Sequence, residues 1–81
     1  MGAKYIFSFK EVFVMISFEP FFDTLDCYEV STYTLIKEHH ISSSTIHRLR
    51  HNQPVSTATV EKLCKILNVT VWDIMEFKSD K

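Results

Sequence analysis

Glycine is almost missing from these 81 residues: Gly2 stands alone, and proline occurs twice, at Pro20 and Pro54. A turn-rich β fold needs far more of both, so the scarcity argues for helices. It also rules out a Gly-rich phosphate loop. Cysteine is limited to Cys27 and Cys64, without the spacings of a disulfide framework. That usage fits a reducing cytoplasm better than a secreted scaffold. No run approaches the roughly 18 apolar residues of a membrane span. The apolar N-terminus is broken by Ser8, Lys10 and Glu11 and lacks an evident cleavage site, so it does not read as a signal peptide. Neither an acid pair nor a nucleophile–base spacing stands out, so no enzyme, cofactor or small-molecule substrate is expected.

What remains is apolar and aromatic. The chain is 46% hydrophobic with seven Phe, three Tyr and one Trp, too much apolar surface for a disordered segment. The length suits one small domain, which buries only roughly 60% of its unfolded surface. Over residues 4–16 the spacing is not helical: Tyr5, Phe7 and Phe9 alternate with Ile6, Ser8 and Lys10. This reads as a strand or extended arm. A lone strand leaves its backbone edge unpaired, and the same strand of a second subunit is the economical partner.

From Ser17 the period changes. Phe18, Phe21, Phe22 and Leu25 fall at i, i+3, i+4 and i+7, with Pro20 inside the first turn where it costs least. Ser31 and Ser42 are each placed to cap a short helix, with Leu35, Ile36, Ile46 and Leu49 as the buried positions and Ile41 in the turn between. Ser43, Ser44, His47, Arg48 and His51 then face outward. Asn52 suits a left-handed residue at the helix end, and Pro54 prevents continuation. Val60, Leu63, Cys64 and Leu67 repeat the helical stripe, and Thr70 caps a final turn carrying Trp72, Ile74 and Met75.

The segment from Ser31 to Asn52 resembles the helix-turn-helix of the Cro/phage-repressor (XRE-type) family. The likeness continues through Ser56–Val69, similar to that family's fourth helix, and Thr70–Met75, similar to its short fifth helix; Ser17–Tyr28 fits the first. The resemblance implies an all-α, compact five-helix domain over residues 15–78, preceded by the arm of residues 1–14. It implies that Ser43, Ser44, His47 and Arg48 meet base edges of double-stranded DNA. It places phosphate contacts at Thr32, Tyr33, His51, Asn52 and Gln53. Arg offers a bidentate fork to guanine, and Ser donates or accepts at several bases. Three positions differ from the family pattern: His40 replaces a turn Gly, Ile36 a small Ala, and Thr32 a Gln.

Net charge is −1, low for a nucleic-acid binder, but it is unevenly spread. Residues 1–30 carry two lysines against five carboxylates, whereas residues 31–65 carry five cations against two, with all four His. A local positive face is what steering towards a polyanion needs. His47 and His51 stand at i, i+4 after His39 and His40, yet zinc wants four well-placed ligands and neither Cys is suitably placed, so no metal is expected. The expectation is a cytoplasmic, homodimeric, sequence-specific transcriptional regulator, acting as a repressor. The rival is a protein-interaction module, such as an antirepressor or antitoxin-like adaptor, that keeps the fold without binding DNA.

Overall fold

The computed structural model describes residues 14–79. In chain order these form β1 (Val14–Ser17), α1 (Glu19–Tyr28), α2 (Thr32–His39), α3 (Ser43–Arg50), α4 (Thr57–Leu67), a 3₁₀ turn (Val71–Asp73) and β2 (Glu76–Ser79). The domain is therefore mostly helical, with four α-helices rather than five and a two-stranded sheet in place of an all-α plan. The expected fifth helix is a single 3₁₀ turn. Asp73 closes it by accepting hydrogen bonds from the Thr70 backbone N–H at 3.2 Å and the Thr70 hydroxyl at 3.3 Å. Ile74 then drops into the core and the chain leaves extended.

The strand expectation meets a second correction. Most of residues 4–16 lies outside the described residues, but its end belongs to β1. β1 pairs antiparallel with β2 of the same chain, in the register Val14–Ser79 to Ser17–Glu76. Its hydrogen-bonded partner is thus the chain's own C-terminal strand.

The helices begin as their caps dictate. Ser31, Ser42 and Ser56 have extended backbones, and each accepts a 3.1 Å hydrogen bond from the N–H three residues on, at Thr34, Thr45 and Thr59. α1 starts differently: Pro20 occupies its first turn, and Ser17 Oγ accepts from the Glu19 N–H at 3.2 Å. The helices end without glycine. Glu29, His40, Asn52 and Asn68 all take left-handed conformations, with φ between 55° and 60°. After α3 the ending is a full Schellman motif, in which Gln53 N–H donates to Arg48 O at 2.8 Å and Asn52 N–H to Leu49 O at 3.2 Å.

One residue set fills the interior: Phe18, Phe21 and Leu25 from α1, Leu35, Ile41, Ile46 and Leu49 from the helix pair, Leu63 and Leu67 from α4, and Ile74. Phe21, Leu35, Leu49, Leu63 and Ile74 are fully buried. Three polar ties hold the ends of elements to this core. Thr24 Oγ1 donates to Asp73 O at 2.8 Å, Lys78 Nζ meets Glu19 Oε1 at 2.8 Å, and Phe18 N–H donates to Asn52 Oδ1 at 2.7 Å.

Candidate nucleic-acid interface

α3 has two faces with different chemistry. Ile46 and Leu49 bury one side against the core. At about 100° per residue, Ser44, His47, Arg48 and His51 gather on the opposite side, and all four are exposed. Ser43, also exposed, stands on the flank at the first helical position. The helix is short, so its first turn and its outward face together make one continuous polar strip.

Within that strip the side chains are partly ordered by one another. Ser44 Oγ lies 3.1 Å from Ser42 Oγ, whose oxygen also caps Thr45. The His47 and His51 rings sit 4.4 Å apart between centroids, tilted at 50°. No other group holds Arg48 among the hydrogen bonds and ion pairs of the described residues, so its guanidinium is available to a ligand. Arg50, two residues on, is differently occupied: its guanidinium covers the Phe22 ring at 4.8 Å. It shields α1 rather than joining the strip, a role its sequence position did not reveal.

The expected phosphate-contacting residues divide. Thr32 and Tyr33 are the first two residues of α2, where backbone N–H groups have no intrahelical acceptor. Ser31 satisfies Thr34 and leaves those two N–H groups free of a cap. Tyr33 is exposed, with Lys37 Nζ 5.9 Å from its ring centroid. His51 belongs with the α3 strip. Asn52 has spent its side-chain oxygen on Phe18, which leaves the amide NH₂ donors. Gln53 borders an apolar groove. His40, in the turn between α2 and α3, is left-handed at φ 60°.

Among the described residues, no cluster of three or more His, Cys, Asp or Glu could hold a metal ion. Cys64 is half-buried on α4, and burial raises its thiol pKa, with the Asp73 carboxylate adding to the shift. No helix among the described residues is long and apolar enough to cross a membrane.

A family model for the Cro/C1-type HTH DNA-binding domain matches residues 24–80. The chain belongs to that family. Membership in a Cro/C1-type DNA-binding family places α2 and α3 as the helix-turn-helix and fits a chain without a catalytic step. The Cro/C1-type domain is also similar in fold to a solved structure, the transcriptional regulator VanUg in its crystal form II. The TM-score is 0.75 at 24% identity, covering 83% of this chain and 89% of that one. A comparison with curated proteins found no match.

Proposed function

We propose that this chain is a sequence-specific transcriptional regulator that inserts α3 into the major groove of double-stranded DNA and acts as a repressor. The observation that carries this reading is the α3 strip: Ser43, Ser44, His47 and Arg48 are exposed together, while the apolar half of the same helix is fully engaged in the core. Those four residues read base edges, with Arg48 as the bidentate donor to guanine. The free N–H groups of Thr32 and Tyr33, with His51, Asn52 and Gln53, hold the phosphate backbone.

Two copies serve one site. A single α3 of eight residues reads only a few base pairs, so a homodimer spaces two such helices about 34–36 Å apart, one DNA turn. Residues 15–78 form the DNA-binding domain and residues 1–14 an arm that assists pairing. The fold of VanUg, whose name describes a transcriptional regulator, is consistent with this reading.

A fluorescence titration against random duplex DNA at several salt concentrations tests it. Phosphate neutralisation predicts that log affinity falls linearly with log salt. Selection from random duplexes should then enrich a two-fold symmetric sequence. No binding at low salt would overturn the DNA reading in favour of the protein-interaction module.

A further inference from the structure

An apolar groove of about 780 Å³ opens beside the helix-turn-helix, between β1, the loop after α3, α4 and the 3₁₀ turn. Met15, Ile16, Val55, Val60, Cys64 and Met75 supply its walls. Met15 and Val71, at its edges, are 54% and 39% exposed, so the domain leaves a sizeable hydrophobic surface unfinished. A patch of this kind marks a docking site.

We propose that residues 5–13 of a second copy of this chain occupy the groove, so that two copies exchange arms. The inference deepens the dimer reading above and rests on it for the presence of two copies; DNA plays no part. Three observations select this occupant. The segment Tyr5-Ile6-Phe7-Ser8-Phe9-Lys10-Glu11-Val12-Phe13 is apolar at six of nine positions. It also runs directly into β1, whose Met15 and Ile16 already form one wall.

The direction of the chain decides between the two copies. Of the residues that build tight reversals, Gly, Pro, Asn, Asp and Ser, residues 4–13 contain only Ser8. Residues 14–17 are extended. A sequence this poor in turn residues favours exchange over a reversal onto the domain it leads into. Nine extended residues span roughly 30 Å, enough to reach a neighbouring one. With one arm and one groove per copy the exchange closes as a two-fold dimer. Glu61, the one charged residue among the described residues lining the groove, is already paired with Lys65 at 3.1 Å, so apolar contact rather than charge selects the segment.

Cys64 makes the proposal directly testable, because a native thiol already lines the groove. Phe7→Cys and Phe9→Cys are made separately in the full-length chain with Cys27→Ser, a change at an exposed site. Each is oxidised without DNA at alkaline pH, which favours the thiolate of the burial-shifted Cys64. Two thiols lose two electrons and two protons to the added oxidant and form one disulfide. The expected product of at least one variant is a covalent species of twice the chain mass, reverting on reduction. Adding Val71→Glu, which places a carboxylate in the apolar groove, should lower its yield about tenfold or more.

A cross-linked product of single-chain mass would overturn the exchange, since the arm would then fill its own groove. Light scattering on the unmodified chain separates the remaining failures. A dimer whose variants give no link through Cys64 overturns the groove assignment and leaves the dimer standing. A monomer at all concentrations, with no interchain link, overturns both.

Discussion

Asn52 Oδ1 accepts a 2.7 Å hydrogen bond from the backbone N–H of Phe18, joining the end of α3 to the start of α1 across 34 residues. The same residue holds the left-handed turn that ends α3, at φ 55°. Removing it should therefore cost twice. Asn52→Ala leaves a part-buried donor unpaired, about 1–3 kcal/mol, and forces alanine into the left-handed region, about 1 kcal/mol more. Asn52→Gly keeps the turn and loses only the bond, so its denaturant midpoint should fall between the other two. DNA affinity of the folded Asn52→Gly chain, measured at low temperature, isolates any contribution of the amide donors to phosphate binding.

Leu63 is fully buried at the centre of the α4 stripe. Leu63→Ala should cost about 2–5 kcal/mol, a large part of the 5–15 kcal/mol typical of whole domains. Chemical denaturation should show the midpoint falling by that amount or the chain unfolded outright. An unchanged midpoint would mean that α4 does not seal the core.

Arg48 is exposed on the outward face of α3, and no side-chain hydrogen bond or ion pair among the described residues holds it. Arg48→Ala should weaken binding to the selected site by roughly 1–3 kcal/mol and relax preference at one base position per half-site. Lys62→Ala, on α4, should weaken all sequences evenly if it has any effect. Thermal midpoints of both variants should match the parent. Undiminished affinity of Arg48→Ala for the selected site would end the α3 readout proposal.

His40 occupies the left-handed turn between α2 and α3 at φ 60°. A non-glycine residue there bears about 1–2 kcal/mol of strain, against about 0.5–1 kcal/mol of unfolded-chain entropy that glycine brings. His40→Gly should stabilise the domain by about 0.5–1 kcal/mol, raising the melting temperature by about 2–8 °C. Asn68→Gly, at φ 57°, should gain less, because asparagine tolerates this conformation.

The serine caps were readable in the chain because capping is local. Ser31 and Ser42 needed only their own position ahead of an apolar stripe, and the structure shows both bonds. The α1 and α4 stripes were readable for the same reason, since i, i+3, i+4 spacing survives any tertiary context. β2 was not. Glu76-Phe77-Lys78-Ser79 is too short for alternation to register, and its partner lies at the other end of the described chain. The fifth helix was over-read: Thr70's cap signal is real, but Asp73 closes the turn after three residues.

At the candidate interface, the outward placement of Ser43, Ser44, His47 and Arg48 followed from the helix period alone. The packing of Arg50 on Phe22 and the bond from Phe18 to Asn52 did not, because each joins helices far apart in sequence. Side-chain type announced a cation and an amide. Only the fold shows that one covers an aromatic ring and the other fastens two helices.

The β1–β2 ladder sets an order of folding. Its innermost pair, Ser17 and Glu76, closes a loop on the order of 60 residues, an entropic cost of about 3–4 kcal/mol from an open chain. Once α1 to α4 have packed, that cost has already been met, so the sheet forms last. By the same reasoning it opens first: Phe77 is 67% exposed and Met15 54%, so little apolar burial resists separation. Amide protons of the ladder should exchange through this local opening, while those of Leu35, Leu49 and Leu63 wait for global unfolding. The ladder is a latch that can release while the helix-turn-helix stays intact.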